Sequence, residues 1–457
     1  MAPKKPPKYL QNRPVTVAEI GGNHGGDPEL AARMVEAAFR ARFDCVKFQA
    51  YRTDKFLHPL CPCYNELKNE ELPLEAFGEL ARLARDRKRG FGLTVFDPEG
   101  LDLARDVKAD YAKISSGDLD NLPLLEAAAK SGLPVVLSTG ASRDSEVERA
   151  LGILGGSLLA VLQCASLYPA PVALSNLAVM DRWLARGLPA GFSDHSEGGR
   201  AMEAAWLLGA AMIERHFTTD RRLPGGDNAM SVTSGRFSSS RREARAMLKF
   251  LDECRAPADR GYYDGPAPTV RDLRDGLSLD VAWGGAKKIP VPGENPRAIR
   301  RFAVARTDLP AGAEISEAGV AYLRVPASFH LDGGPLLGPD EGPDGLVLAE
   351  PVQAGLPVPL SAVRRRDGQK IAPPPGSDAA LADAPPPDLR GAFYEIWSPI
   401  DGRDMLGPPP LPYRPGSADS PDSFLILSPL SPLFLFLLKP PASPRGPAGG
   451  PDPAPVK

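Results

Sequence analysis

The sequence has no Cys-x-x-Cys pair, no run of basic residues longer than three and no unbroken apolar stretch long enough for a membrane helix. Each absence removes a class of function. The five cysteines (Cys45, Cys61, Cys63, Cys164, Cys254) contain one close pair, Cys61-Pro62-Cys63, which is too tight for an ordinary zinc knuckle. Their odd number fits a reducing cytoplasm rather than a disulfide framework. A formal charge of −3 with no Lys/Arg cluster provides no nucleic-acid surface. The longest apolar run, FLILSPLSPLFLFLL at 424–438, is broken by Pro429 and Pro432 and is short of the ~20 residues a spanning helix needs, so no membrane partner is expected. The N-terminal MAPKKPPKYL lacks the apolar centre of a signal peptide; residues 1–13 read as a disordered lead-in and the protein as cytoplasmic. GGNHGG is glycine-rich, but no Gly-x-Gly-x-x-Gly opens a helix, so a dinucleotide fingerprint is absent.

What is present is alternation. Eight β-like runs, at 15–21, 44–50, 90–96, 110–116, 133–139, 157–164, 188–194 and 210–216, are separated by segments such as PELAARMVEAAFRARF and LEAFGELARLARDRK, whose apolar residues recur every three or four positions. A further helical run, SSSRREARAMLKFLDECR, follows the eighth. Eight βα repeats in about 240 residues is the arithmetic of a (β/α)8 TIM barrel, an α/β fold whose C-terminal strand ends surround the active site. The runs are nearly continuous in apolar residues, as parallel strands covered on both faces are.

Each run ends in polar residues. His195 and His216 close the seventh and eighth runs, so in a barrel they are neighbours. Two imidazoles leave most coordination positions to water and substrate, which suits a catalytic divalent ion, Mn²⁺ ahead of Mg²⁺ or Co²⁺, better than a closed zinc site. Lys47 and Lys113, with Thr94, Ser116 and Ser138, form a ring of cations and hydroxyls suited to a phosphorylated, carboxylated anion. Glu19 ends the first run and reads either as an acid/base or as a structural ion pair to Lys47. His24, in GGNHGG, reads either as a turn cap or as a site residue. The loop at 51–72 is long enough to act as a lid.

AEIGGNHGGD, VKFQ, YAKISSGDLDNLPLL, VVLSTGAS, CASLYPAP, GFSDHSEG and IERHFTTDRRLPGGD resemble, in order and spacing, the motifs of the N-acetylneuraminate (sialic acid) synthase family. The resemblance covers 14–235 and extends, more weakly, through 300–362 to the antifreeze-like (SAF) domain of those enzymes. It implies a metal on His195 and His216, phosphoenolpyruvate held at Lys47, Thr94, Lys113, Ser116, Ser138 and Ser193, an acid/base at Glu19, and sugar contacts at Gln49, Tyr168 and Arg324. It further implies metal-dependent condensation of phosphoenolpyruvate with N-acetylmannosamine, releasing phosphate by C–O cleavage, in a homodimer whose small domains reach across to the partner's barrel. Related nonulosonate synthases, making legionaminic or pseudaminic acid or N-acetylneuraminate 9-phosphate, and a non-catalytic sugar-binding paralogue are the alternatives. The chain departs from the family pattern at Val95, at Ala165-Ser166, at Asn228 and at Val325, positions that bear on the sugar rather than on the metal or phosphate.

The expected layout is a barrel domain at 14–283, a linker at 284–299, a small β-rich antifreeze-like domain at 300–365, and a disordered Pro-rich tail at 366–457. Two half-motifs, ARTDLPAGAEIS and AEPVQAGLPVPL, repeat inside the small domain.

Overall fold

The eight apolar runs are eight parallel strands of one closed barrel in a computed structural model of the chain, which describes residues 15–196, 200–233, 288, 290–291, 293–331, 334–342 and 345–371. They are β1 (Val15–Gly21), β2 (Cys45–Ala50), β3 (Gly90–Val95), β4 (Tyr111–Ile114), β5 (Val135–Ser138), β6 (Leu158–Gln163), β7 (Ala190–Asp194) and β8 (Met212–Thr218). Each pairs with the next, and β8 pairs back onto β1. A short β9 (Val232–Thr233) extends from β8, an addition the sequence pattern did not signal.

Among the described residues, nine α-helices lie between β1 and β8: α1 (Pro28–Arg40), α2 (Thr53–Phe56), α3 (Tyr64–Asn69), α4 (Leu74–Asp86), α5 (Pro98–Asp106), α6 (Leu122–Lys130), α7 (Asp144–Leu154), α8 (Leu177–Ala185) and α9 (Arg200–Leu207). Two of them start the same way. Asp27 accepts the Glu29 amide at 2.8 Å ahead of Pro28, and Asp97 accepts the Gly100 amide at 2.8 Å ahead of Pro98. The Asp supplies an acceptor for an amide with no partner in the helix, and the Pro presets the first helical φ.

Two apolar layers follow from the two faces of the strands. One, between strands and helices, includes Ile20, Val46, Phe48, Leu93, Ile114 and Leu137. The other fills the barrel and includes Val15, Val17, Cys45, Tyr111, Val136, Leu162 and Met212. Gly92 stands opposite Tyr111, and a Cβ there would sit 2.2 Å from the tyrosine Cζ. The missing side chain is what lets the ring occupy the barrel axis. Because side chains repeat with a period of two, the next interior positions after Val17, Cys45, Tyr111, Val136 and Met212 are Glu19, Lys47, Lys113, Ser138 and Glu214. The interior therefore changes from apolar to ionic within one step, at the C-terminal end.

Beyond the barrel, β10 (Phe302–Ala305) pairs antiparallel with β11 (Val320–Leu323), and β12 (Leu346–Leu348) with β13 (Val363–Arg365). The two half-motifs meet: Leu309 and Val352, their equivalent positions, exchange backbone hydrogen bonds of 2.8 and 2.9 Å. The module continues past its expected end at 365, since Lys370 bridges to Arg364 and Ile371 packs into its apolar core.

The lead-in, all of 234–287 with the helical run at 238–255, and the tail beyond 371 with its apolar run lie outside the described residues. Among the described residues, no helix is long and apolar enough to cross a membrane.

Candidate active site

Strand register sets the site. Glu19 lies between Lys47 on β2 and His216 on β8; Thr94 lies between Gln49 and Lys113; Ser193 lies beside Glu214. One cleft at the C-terminal mouth of the barrel is lined by Glu19, Lys47, Gln49, Thr94, Lys113, Ser116, Ser138, Tyr168, Ser193, His195, His216 and Arg324, so every site residue expected from the sequence is brought to a single place.

Its floor is a buried ion network. Lys47 Nζ is 2.5 Å from Glu19 Oε2 and 3.8 Å from Glu214 Oε2, and donates to Thr94 Oγ1 at 2.6 Å. Lys113 pairs closely with Glu214, which also accepts from Ser193 Oγ at 3.1 Å. Gln49 donates to the other Glu19 oxygen at 3.0 Å. The ion pair between Glu19 and Lys47, one of the two expectations for Glu19, is therefore formed. Burial alone would push the Glu214 carboxyl up, but the ammonium groups of Lys113 and Lys47 outweigh it and hold the group at about 2. The lysines diverge: burial pulls Lys47 down in spite of its carboxylates, whereas for Lys113 the attraction of Glu214 and Glu19 overcomes burial and the shift is upward. The buried Ser138 hydroxyl has no hydrogen-bond partner among the described residues, leaving a donor for a bound anion.

The two histidines stand with ring centroids 5.5 Å apart, and Tyr168 stacks on His195 at 4.2 Å. His195 Nδ1 lies 2.6 Å from the Ala165 carbonyl. A carbonyl only accepts, so Nδ1 carries the proton and Nε2 keeps its lone pair. Burial, followed by the nearby His216, lowers the His195 imidazole to about 3, so the ring is neutral at physiological pH. His216 Nδ1 is 3.3 Å from Asp227 Oδ2. The Asp227 contact lacks hydrogen-bond geometry, so only His195 is oriented through Nδ1 by an oxygen, the usual arrangement of a metal-ligating histidine. Among the described residues no three His, Cys, Asp or Glu side chains are grouped to hold a metal. The residues fit an ion held by two imidazoles with its other positions open. His24 is not part of the cleft lining; its Nδ1 accepts the Gly26 amide at 3.0 Å and caps the turn.

Arg324 enters the mouth from the end of β11. Its backbone is clamped to the loop after β2, with Arg324 N donating to Phe56 O at 2.8 Å and His58 N to Arg324 O at 2.9 Å. Its guanidinium lies over the Phe56 ring and 3.9 Å from the buried Asp118. Asp118 is also paired with Arg301 Nε at 2.6 Å. Gly117 permits this approach, because a Cβ there would sit 2.6 Å from Arg324 Nη2. The long loop expected as a lid is thus packed against the module, and it carries the buried thiols Cys61 and Cys63.

Four contributors were not assigned a role from the sequence. Glu214 had a signal, the period of two that places it beside His216 on the interior face. Asp227 lies beyond β8 and reaches His216 only through the turn; Cys164, 3.3 Å from Ser116 Oγ, continues the interior face of β6 just past the strand's end. Glu294, from the connection between barrel and module, had none.

Residues 34–255 match the model of the NeuB family. The chain is 31% identical over 332 residues to an N,N'-diacetyllegionaminic acid synthase of Legionella pneumophila, covering 67% of this chain and 84% of the relative. It is 31% identical over 252 residues to the N-acetylneuraminate-9-phosphate synthase of Homo sapiens, covering 51% of this chain and 70% of that enzyme. A crystal structure of an N-acetylneuraminic acid synthetase from Leptospira borgpetersenii, in complex with citrate, superposes with a TM-score of 0.52 at 32% identity, over 58% of this chain and 93% of that one. By these identities, with the barrel and its C-terminal mouth in place, the chain belongs to the NeuB family of sialic-acid-type (nonulosonate) synthases.

Proposed function

We propose that the protein condenses phosphoenolpyruvate with N-acetylmannosamine, giving N-acetylneuraminate and phosphate. The observation that carries this reading is the single cleft in which two lysines, four hydroxyls and two histidines converge around Glu19. Lys47, Thr94, Lys113, Ser116, Ser138 and Ser193 bind the carboxylate and phosphate of phosphoenolpyruvate. Anionic ligand groups draw the two ammonium ions away from Glu19 and Glu214, which frees Glu19 to move a proton. C3 of phosphoenolpyruvate bonds to the sugar aldehyde carbon, the aldehyde oxygen gains a proton, and water adds to C2 and gives up a proton. The C2–O bond to phosphate then breaks with its electron pair leaving on phosphate, the C2 hydroxyl passes its remaining proton to the departing phosphate, and C2 becomes the ketone. A divalent ion, Mn²⁺ first, held by His195 and His216 would supply Lewis-acid polarisation of the aldehyde. Gln49, Tyr168 and Arg324 orient the sugar.

Charge supports the unphosphorylated sugar over its 6-phosphate. Each cation lining the cleft already faces a carboxylate: Lys47 faces Glu19, Lys113 faces Glu214, and Arg324 faces Asp118. One trianionic ligand can claim the two lysines, and a second phosphate would be left only Arg324, which already faces Asp118.

The test is phosphate release from phosphoenolpyruvate with N-acetylmannosamine, its 6-phosphate and diacetamido-hexoses in parallel. The expected result is release with N-acetylmannosamine alone, abolished by chelation and by His195→Ala. Release without any aminosugar, or unaffected by chelation, would overturn the synthase reading; faster release with a diacetamido-hexose would change the sugar. Within one chain the module makes its Arg324 contacts on its own barrel; in the proposed homodimer it would make them on the partner's mouth instead, and sedimentation of the full chain as a monomer would refute that exchange.

A further inference from the structure

We infer that Glu294, in the connection between barrel and module, is a positioning residue for His195 and acts on it through one peptide group. Glu294 Oε1 accepts the Ser166 amide at 2.6 Å and the Ala141 amide at 2.8 Å, and its Oε2 accepts the Val291 amide at 2.7 Å. The Ser166 N–H and the Ala165 carbonyl belong to the same peptide unit, and that carbonyl is the one receiving the His195 Nδ1 proton at 2.6 Å. A peptide is conjugated from nitrogen to oxygen, so an anionic acceptor on its N–H moves electron density onto its oxygen. The carbonyl then holds the imidazole more strongly and leaves more basicity at Nε2. This is the carboxylate–histidine arrangement of metal sites with one peptide group inserted between the two members.

The same carboxylate fixes the neighbouring loop. Ala141, after β5, has φ +50°, a left-handed conformation unfavourable for a non-glycine residue, and its amide is held by Glu294. The connection is anchored on either side of Glu294, by Lys288 Nζ to the Cys164 carbonyl at 3.4 Å and by Arg300 Nη1 to the Ser116 carbonyl at 2.9 Å. A stretch that reads as a linker in sequence is thereby part of the wall behind the histidine. The inference rests on the reading of His195 and His216 as ligands of a divalent ion.

The experiment uses the full chain, metal-free, with Mn²⁺ titrated by electron paramagnetic resonance and the histidine N–H signals followed by ¹⁵N spectroscopy; the chain has five histidines, few enough to assign by substitution. Glu294→Gln keeps the size and one acceptor oxygen for the Ser166 and Ala141 amides, but removes the charge and the acceptor of the Val291 amide. It is expected to weaken Mn²⁺ binding roughly tenfold or more and to shift the His195 Nδ1–H signal before any metal is added. Phosphoenolpyruvate affinity stays within about twofold, and the melting temperature of the metal-free protein falls by no more than about 2–4 °C, from the single Val291 bond lost. Wild-type Mn²⁺ affinity with an unmoved His195 signal in Glu294→Gln overturns the relay; if His195→Ala still loses the ion, the metal reading survives that failure. Mn²⁺ binding unaffected by His195→Ala removes the metal reading and the relay with it. A parallel loss of Mn²⁺ affinity, phosphoenolpyruvate affinity and melting temperature in Glu294→Gln assigns Glu294 a structural role only and also overturns the relay.

Discussion

Replacing Glu214 by Gln separates the two things the ion network does. The Glu214 carboxylate is 3.8 Å from Lys47 and closer still to Lys113, and all three side chains are buried. At an effective dielectric of about 20, one such contact is worth roughly 4 kcal/mol before desolvation is subtracted. Breaking a buried pair from one side costs about 3–5 kcal/mol, and Gln, which retains an acceptor for Ser193 and Lys113, belongs at the lower end. At about 2–4 °C per kcal/mol for a domain of this size, the melting temperature falls by roughly 6–12 °C at neutral pH. The sign with pH is defined. A carboxyl held at about 2 in the folded state, below its ordinary value of 4.5, contributes stability that is complete above 4.5 and is lost as pH falls through 2, so the deficit of the variant shrinks across that window. Ligand binding moves the other way, because Glu214 competes with an anionic ligand for the lysines; affinity for phosphoenolpyruvate rises by about 1 kcal/mol, or roughly fivefold. Differential scanning calorimetry and titration calorimetry read the two effects on one sample. Lys113→Met in the Glu214→Gln background restores most of the lost stability and abolishes the gain in affinity. A tenfold loss of phosphoenolpyruvate affinity with an unchanged melting temperature would refute the reasoning and make Glu214 a direct contact to the ligand.

Gly92→Ala places a methyl group against the Tyr111 ring inside the barrel, and is expected to cost about 1–3 kcal/mol; chemical denaturation checks this, with Tyr111→Leu in the same chain restoring most of the loss and no restoration counting against the steric account. Glu70 lies behind Asp227, and burial, then Asp227 and Glu66, push its carboxyl up to about 8. A raised carboxyl favours the folded state at low pH and loses that advantage as pH rises from about 4.5 to 8. Glu70→Gln is therefore expected to raise the melting temperature by more at pH 8.5 than at pH 4.5, and a difference independent of pH would show that Glu70 is not buried as its proton-bearing form.

Much of this was legible before the fold was seen. The eight strands were marked by apolar runs and the helices between them by three- and four-residue spacing, because burying one face of each element is a local property of the pattern. The strand-end residues of the cleft were legible for the same reason: polar groups at the end of an apolar parallel strand have no place in a core and mark the barrel mouth, whereas Arg324, outside the barrel strands, was named only through the family resemblance. Boundaries were less so. The run at 110–116 shortens to four strand residues, Tyr111–Ile114, since Ser115 and Ser116 turn out of the sheet to begin the loop that holds Asp118. The module runs on to Ile371 because an isolated bridge from Lys370 back to Arg364, invisible in composition, brings Ile371 into its apolar core.

Residue type and order by themselves determined that this chain closes a parallel barrel and that cations, hydroxyls and two histidines gather at one end of it. Those facts depend only on which residues alternate along each strand. Which group faces which was decided by tertiary structure alone. That Lys47 meets Glu19 while Lys113 meets Glu214 follows from strand register and barrel closure between segments up to about two hundred residues apart. That Glu294 stands one peptide from His195 follows from the path of a connection with no periodicity to read. Electrostatic and hydrogen-bond partners act over a few ångströms in space, and sequence separation carries no information about that distance until the chain has closed.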